Sequence, residues 1–354
     1  LRELQRLRLL PHVLPELSAT LGVSQTTPHH EDVYHHTLHT IENAAQLRTW
    51  LLAAHPHTTS TTDRNAVESD TARMNAARMN AAQMNAGWMD TALGKWRYRL
   101  RQLFTESVTG EHTRADWLVW YALFHDTGKP ATQEPIIPAV NVDTDLPAST
   151  ETRIRFFGHE QVGADLTQTR LQQLRFSRNE TALATRTVAG HMRPHLLHTA
   201  FGIAPVNRRA SFRFFRDVTI KADCQMAGFD ILLLALCDHV AIFRTSQPAF
   251  SAAYYRRIEE LVAFGFERID QAGKQHAPLV DGRLIMRHFN LKPGPHIGAL
   301  LAEIQEAQVA GEVTTIEAAL ALAGATLAQR NPASPSKADM SANRSNVSQE
   351  SRGA

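Results

Sequence analysis

Cysteine is nearly absent from this 354-residue chain, which contains only Cys224 and Cys237. Two cysteines at this spacing provide neither a disulfide framework nor a CxxC zinc motif, so a reducing cytoplasm is the expected compartment. No apolar run approaches the ~18 residues that span a bilayer, and the opening LRELQRLRLL does not have the pattern of a signal peptide. We therefore expect no membrane partner. A start at Leu1 rather than Met is also what a fragment of a longer protein would show.

Lysine is the second scarce residue, with six lysines against 31 arginines. The formal net charge is only +2, which excludes a strongly basic protein that would bind nucleic acid through its overall field. Arginine suits phosphate recognition through its planar fork, but a G+C-rich genome produces the same excess of arginine. The composition leaves both explanations open. With 43% apolar and 20% charged residues, the chain has the composition of a soluble protein of two or three domains.

Helical periodicity dominates the sequence and predicts an all-α fold. We expect at most one short β-hairpin, of which RIRFF (153–157) is one strand. Helices are expected over 29–52, 115–126, 158–175, 178–191, 207–217, 228–244, 250–270 and 280–325. Two stretches look like insertions, at about 55–112 and 134–152. The first contains the repeat TARMN-AARMN-AAQMN-AGWMD, whose methionines recur every five residues and share no helix face, so we predict an exposed segment. The Ser/Asn-rich tail 331–354 is predicted to be disordered.

Asp238 is the most informative single residue, because it lies within the apolar helix FDILLLALCDHVAIF. A buried carboxylate needs a cationic partner, and a metal ion is the most compact one. A helix cap or a pair with arginine explains it equally simply. His36 presents the same choice, since it lies on the apolar side of its helix, where a histidine usually bonds to a backbone carbonyl.

His125 and Asp126 follow the apolar helix WLVWYALF directly, and an acidic residue is unfavourable at a helix C-terminus. Two imidazoles and two carboxylates on three helices can converge in a bundle as a metal site. Such mixed ligands suit Mg, Mn, Fe, Co, Ni or Zn and do not choose among these divalent ions. The GK of HDTGKP is not a P-loop, because Pro130 follows Lys129 and the preceding glycine is missing.

The order His36, His125-Asp126, Asp238 resembles the HD superfamily of metal-dependent phosphohydrolases. Further blocks in order, among them RIRFFGHEQVGADL, GHMRP, ILLLALCDHVA and LKPGPHIGALL, resemble the carboxy-terminal half of bacterial CCA-adding tRNA nucleotidyltransferases and poly(A) polymerases. The resemblance covers about residues 1–325 outside the two insertions. It implies a helical neck (1–30), an HD-domain helical bundle (31–250) and a C-terminal helical domain (251–330).

The resemblance also implies roles for individual residues. His36, His125, Asp126 and Asp238 would hold a divalent metal, and Lys129 and Asp126 would be catalytic. His159 and His191 match ligands of a second metal in two-metal relatives. Relatives often have two histidines before MRP where this chain has Gly190-His191, which puts a complete second site in doubt. Four arginines on one predicted helix are expected to contact RNA phosphates or to form a solvated face: Arg208, Arg209, Arg213 and Arg216.

Two functions follow from the resemblance. The first is a metal-dependent phosphohydrolase of phosphomonoesters or 2′,3′-cyclic phosphodiesters of nucleotides or RNA ends. The second is the tRNA-binding body of a split or truncated nucleotidyltransferase, with an inert or structural HD site and a separate nucleotidyltransferase head as partner. No Gly-Ser loop with a DxD pair precedes residue 30, so nucleotide addition is not expected from this chain alone.

Overall fold

Helices make up most of the protein, in a computed structural model that describes residues 1–53, 87–110, 112–136, 153–218, 227–243, 248–272 and 278–330. This confirms the predicted all-α fold class. The first seven helices are α1 (Arg2–Arg6), α2 (Leu10–Val13), α3 (Pro15–Ser18), α4 (Val33–Leu52), α5 (Gly87–Leu93), α6 (Arg97–Phe104) and α7 (Arg114–Phe124). The next six are α8 (His159–Gln173), α9 (Arg178–Gly190), α10 (Arg193–Phe201), α11 (Arg208–Val218), α12 (Ala227–Ile242) and α13 (Pro248–Ala272). The last three are α14 (Gly282–Phe289), α15 (Pro295–Ala310) and α16 (Ile316–Arg330).

The chain divides into two compact units, one formed by residues 1–206 and 214–270 and the other by residues 207–213 and 271 onwards. In the first unit α4 packs against α7 and α12, while α9 packs against α8 and α12. Helix α12 is at the centre, and its residues from Ala227 to Asp238 are all buried. The predicted domain boundaries at residues 30 and 250 stay a prediction.

Polar side chains cap the N-termini of α4 and α7, two helices that pack against α12. The Asp32 side chain accepts a hydrogen bond from the backbone N–H of His35 and so caps α4. The Asp116 side chain accepts hydrogen bonds from the backbone N–H and hydroxyl of Thr113 at the start of α7. Arg48 of α4 also donates to Asp116, over 2.7 Å. The cap of α7 is therefore also a link between α4 and α7.

Residues 87–104 of the predicted exposed insertion contribute apolar side chains to the core, so the predicted exposure is wrong there. Residues 87–104 form α5 and α6, joined by a 3-10 turn. Apolar side chains of both helices are buried: Met89, Ala92, Leu93, Leu100 and Phe104. The last copy of the five-residue repeat overlaps α5. Its methionine, Met89, shares a buried helix face with Ala92 and Leu93, which lie beyond the repeat and so are not part of its five-residue pattern. The rest of the repeat and the tail 331–354 lie outside the described residues.

Two small hairpins occur among the described residues, where the sequence predicted at most one. Strand β4 (Arg153–Phe156), predicted from RIRFF, pairs antiparallel with β3 (Gln133–Ile136), whose position was not predicted. The additional hairpin joins β1 (Ser107–Thr109) and β2 (His112–Thr113), which are too short to leave a period-two pattern. Residues 137–152 of the second predicted insertion lie outside the described part of the chain.

Helix α10 was missed in the prediction, and the stretch 280–325 is three helices rather than one continuous helical run. The αL conformation of Asn290 ends α14, and that of Gly311 ends α15. These three helices share a core that includes Ile285, Leu300 and Ala319. Among the residues that the structure describes, no helix combines the length and apolar character needed to cross a membrane.

Candidate metal centre

Six side chains that could bind a metal ion converge in the first unit, and all six are buried. These candidate ligands come from α4, the turn after α7, the start of α8, the end of α9, and α12: His36, His125, Asp126, His159, His191 and Asp238. They form two trios, and within each trio one ligand atom per residue lies within 4.8 Å of the other two. The structure thus brings together every residue for which the sequence predicted a metal-binding role.

The first trio consists of His36, His125 and Asp238. Asp238 Oδ1 lies 2.9 Å from His36 Nε2 and 3.8 Å from His125 Nε2. The two imidazole Nε2 atoms are 3.4 Å apart. Three potential ligand atoms therefore face one small space between α4, α7 and α12.

The second trio consists of Asp126, His159 and His191. The Nε2 atoms of the two histidines are 3.3 Å apart. Asp126 Oδ1 lies 3.4 Å from His159 Nε2 and 4.0 Å from His191 Nε2. A trio therefore exists although residue 190 is glycine and not a second histidine.

The Asp126 carboxylate lies between the two trios. Its Oδ2 is 3.2 Å from His125 Nε2 and 3.5 Å from His36 Nε2, while its Oδ1 faces the second trio. Lys129 Nζ lies 2.7 Å from the same Oδ2. One carboxylate is thus within reach of both groups of imidazoles.

The hydrogen bonds of the histidines determine which ring nitrogens can bind a metal. Nδ1 of His125, His159 and His191 lies 2.7–2.8 Å from the carbonyl oxygens of Ala122, Phe156 and Val188, respectively. A carbonyl can only accept, so each Nδ1 carries a proton, and Nε2 of the neutral ring then presents a lone pair. The Nε2 lone pairs of neutral His159 and His191, 3.3 Å apart, repel unless a cation binds between or beside them. This donor set fits a divalent metal ion.

The charges of the cluster also fit a cation. Burial by itself raises the pKa of Asp126, but His125 and Lys129 outweigh it and hold that pKa well below its usual range. Burial acts in the same sense on Asp238, and hydrogen bonds with His195 and His36 bring its pKa well below the usual range. Burial lowers the pKa of His191 to about 3. Ionised carboxylates beside a neutral imidazole are the protonation states that metal binding requires.

Two glycines allow the close approach of the elements that form the cluster. A Cβ on Gly128 would lie 2.1 Å from the carbonyl oxygen of His159 and 2.6 Å from the Gly163 nitrogen, so the turn after α7 can reach α8 only without a side chain there. A Cβ on Gly190 would lie 2.4 Å from Ile231 Cδ1. A histidine at position 190 would therefore require the Ile231 side chain of α12 to shift.

A cavity of about 400 Å³ opens onto the cluster and is lined by Asp126, His159 and Asp238. Lys129 also lines it, and its Nζ lies 2.7 Å from Gln25 Oε1. Arg155 of β4 also lines the cavity, and its guanidinium pairs with Glu134 of β3 over 2.9 Å. The space is large enough for a phosphate ester.

Three residues of this cavity were missed in the sequence analysis. His195 Nε2 lies 3.1 Å from Asp238 Oδ2, the oxygen that faces away from His36, and its ring stacks on Tyr254. His29 packs edge-on against His36, and burial lowers its pKa to about 3. Gln25 is the third. The only signal for His195 was its position in HMRPHLLH four residues after His191.

The four predicted RNA-contacting arginines all belong to α11. Arg209 pairs with Glu312 over 2.7 Å, and Arg213 lies 3.9 Å from Glu306. Arg208 Nε donates to the carbonyl of Val309. Arg216 pairs with the neighbouring Asp217 over 2.9 Å. These side chains are engaged within the protein, and their contact with RNA stays a prediction.

Comparison with known proteins gives two relatives and no matching protein-family model. The chain is 30% identical over 200 residues to the CC-adding tRNA nucleotidyltransferase of Thermus thermophilus. The aligned residues are 56% of this chain and 38% of that enzyme. The chain is 30% identical over 209 residues to the A-adding tRNA nucleotidyltransferase of Deinococcus radiodurans, covering 58% and 41%. The chain spans about two fifths of the length of these relatives. Over more than half of its own length, it is therefore similar to tRNA nucleotidyltransferases.

Proposed function

We propose that this chain is a metal-dependent phosphohydrolase of RNA metabolism, acting on phosphomonoesters or 2′,3′-cyclic phosphodiesters of nucleotides or RNA ends. The observation that carries the proposal is the position of Asp126, whose two oxygens face two different imidazole pairs. A carboxylate in this place can bridge two cations, and paired cations suit phosphate-ester hydrolysis. The similarity to two tRNA nucleotidyltransferases supports RNA as the context.

The residues around the cavity have separable roles in this proposal. The two trios would hold the metal, which when bound supplies Lewis-acid polarisation of a phosphoryl oxygen and a water of lowered pKa. Lys129 donates to an oxygen of the phosphoryl group and so offsets the charge that grows in the transition state. Gln25 and Asp126, which contact its Nζ, hold the ammonium at the cavity wall. Arg155 orients the remaining charged part of the substrate from β4.

The test is a hydrolysis assay on protein that has been stripped of metal and reloaded separately with Mg, Mn, Fe, Co, Ni or Zn. The substrates are nucleoside 2′- and 3′-monophosphates and 2′,3′-cyclic nucleotides. We expect Lys129→Gln to lower kcat by about 10²–10³-fold, as does loss of a donor to a developing oxyanion. Asp165→Asn, which alters an exposed carboxylate on α8, is the matched control and should hydrolyse as wild type does. Absence of hydrolysis with every metal would contradict the proposal.

A second candidate is favoured by the comparisons themselves, because both relatives are tRNA nucleotidyltransferases. In this alternative the chain is the tRNA-binding body of such an enzyme, works with a separate nucleotidyltransferase head, and uses the cluster structurally. A tRNA-binding measurement on Asp126→Asn separates the two proposals. If the cluster serves the fold, this variant should lose both tRNA binding and thermal stability. If the cluster serves hydrolysis, the variant should keep tRNA binding and lose turnover.

A further inference from the structure

The outer surface of the α8–α9 helix pair forms a second cavity that the metal centre does not use. Its volume is about 580 Å³. Gln161, Gln168 and Gln172 line it from α8, and residues of α9 line the other side. On α9 these are Arg178, Thr181, Ala182, Thr185, Arg186 and Ala189. We call this surface the α8–α9 groove.

Hydroxyl groups in the α8–α9 groove have no intramolecular partner. Thr181 is 5% exposed, and its Oγ1 and that of Thr185 are buried without a hydrogen bond to the described residues. A helical threonine normally donates to the carbonyl four residues back, as Thr187 on the inner face of α9 does over 2.8 Å. Buried polar groups are rarely left unpaired, so two unpaired hydroxyls in one groove indicate a ligand with acceptor atoms.

The charged side chains of the groove are both cationic. Arg178 and Arg186 form no ion pair within the described part of the chain, and no carboxylate is among the described residues that line the groove. They are eight residues apart, which corresponds to ~12 Å along a helix axis. A strand of a nucleic acid duplex carries one phosphate per about 3.4 Å of duplex axis, so this distance, taken along that axis, spans three to four phosphates.

The remaining lining residues favour a backbone over a base-specific contact. The amides of Gln168 and Gln172 can donate to phosphate and sugar oxygens, as amide side chains commonly do in nucleic-acid complexes, whereas Gln161 Nε2 donates to Asp165 Oδ1 over 3.2 Å. Ala182 and Ala189 leave room for a sugar–phosphate chain to approach α9. Among the described residues that line the groove, Phe176 is the one aromatic side chain on which a base could stack. An acidic peptide fits the groove less well than a sugar–phosphate backbone, because its carboxylates are less regularly spaced and provide fewer acceptor atoms for the unpaired hydroxyls.

We propose that the α8–α9 groove binds the sugar–phosphate backbone of RNA, with Arg178 and Arg186 on phosphates and the Thr181 hydroxyl donating to an oxygen between them. This inference rests on the proposed action on RNA. It adds a contact surface outside the metal cavity. It also differs from the α11 arginines, because those side chains pair with carboxylates or a carbonyl of the protein itself.

The test is fluorescence anisotropy of an unmodified tRNA transcript with the full chain, from 50 to 200 mM salt. We expect Arg178→Gln/Arg186→Gln to raise Kd at least tenfold and to reduce the slope of log K against log[salt] by about 1.4–1.8, the value for two lost phosphate contacts. Arg8→Gln/Arg256→Gln removes the same charge from exposed positions outside both cavities and should bind as wild type does.

Thr181→Val keeps the size and removes only the hydroxyl. Because that hydroxyl has no partner in the protein, we expect an unchanged or higher Tm together with about fivefold weaker tRNA binding, the effect of one hydrogen bond. Equal tRNA binding by wild type and both groove variants would overturn the proposal, as would no tRNA binding by wild type at 50 mM salt. Displacement of tRNA by poly-L-glutamate at equal charge concentration would also overturn it in favour of an acidic protein partner. Metal content of the same preparations reports on the proposed function alone, so protein that binds tRNA through the groove without metal would contradict only that function.

Discussion

Asp238 shows how much one side chain determines in this fold. It lies on a helix that is buried all round, and burial alone would keep its carboxyl group neutral. Its two oxygens instead contact His36 over 2.9 Å and His195 over 3.1 Å. The hydrogen bond from His195 to Oδ2 fixes the orientation of the carboxylate, and so holds Oδ1 toward His36 and His125. We interpret His195 as a positioning residue for a metal ligand.

Removal of His195 is predicted to weaken divalent-metal binding without removing a ligand. We expect His195→Ala to raise the Kd for metal by about 10- to 100-fold, the usual effect of losing an outer hydrogen bond to a ligand. His198→Ala is the control, since His198 is on the same helix and its ring packs on Tyr254. Isothermal titration of stripped protein with Mn²⁺ or Zn²⁺ measures both. Equal affinities for His195→Ala and wild type would show that Asp238 needs no such support.

The helices that carry the ligands depend on their polar ends. Asp116 accepts hydrogen bonds from Thr113 at the start of α7 and from Arg48 of α4, and so links the helix of His36 to the helix that precedes His125. Burial raises the pKa of Asp116, but the hydrogen bonds from Thr113 and Arg48 outweigh it and lower that pKa below its ordinary value. The ionised carboxylate therefore stabilises the folded state more than the unfolded state.

This stabilisation has a predicted dependence on pH. Because the folded pKa is lowered, the contribution is fully present above the unfolded pKa of about 3.9 and is lost as pH falls through the folded value. We expect Asp116→Asn to lower the free energy of unfolding by about 1 kcal/mol at pH 7, and the difference from wild type to shrink below pH 3. Urea denaturation followed by circular dichroism at both pH values checks this, with Asp165→Asn as control. A deficit of equal size at both pH values would contradict the prediction.

The sequence predicted those elements whose apolar spacing is strong. The burial of Asp238, the apolar side of His36 and the helix before His125 were all readable from one helix at a time. Helix α10, which carries His195, was not, because Leu196 is exposed and polar residues are mixed with apolar ones, so the helix has no apolar face. The three-residue strand β1 was equally invisible, since alternation cannot be recognised over so few residues.

Proximity of the six candidate ligands is a property of the whole first unit. The six candidate ligands lie between residues 36 and 238 of the sequence, and they come together only when α4, α7, α8, α9 and α12 pack against each other. Sequence order could suggest this meeting only through the family resemblance, because no local pattern specifies that a Cβ at position 128 would lie 2.1 Å from the carbonyl oxygen of His159. A metal bound by such dispersed residues cannot bind the unfolded chain in the same way.

Metal binding is therefore predicted to raise the thermal stability of the chain. At a free metal concentration of 100 Kd the gain is ~2.7 kcal/mol, which corresponds to a rise in Tm of roughly 5–10 °C for a unit of this size. Differential scanning calorimetry of stripped and reloaded protein measures the shift. Asp126→Asn/Asp238→Asn should show little or no shift on reloading, and a shift as large as in wild type would mean that the metal binds elsewhere.

The central claim is that His36, His125, Asp126 and Asp238, with His159 and His191, form a site for divalent metal. The most direct measurement is the metal content, by inductively coupled plasma mass spectrometry, of wild type and of Asp238→Asn after equal loading and desalting. Asn keeps the size and one acceptor oxygen of Asp238 but removes its charge, so the account predicts bound metal in wild type and sharply lower content in the variant. Adding His125→Ala should then reduce hydrolysis little further, because the residues act as one unit. Full metal content and unchanged hydrolysis in Asp238→Asn would contradict the account.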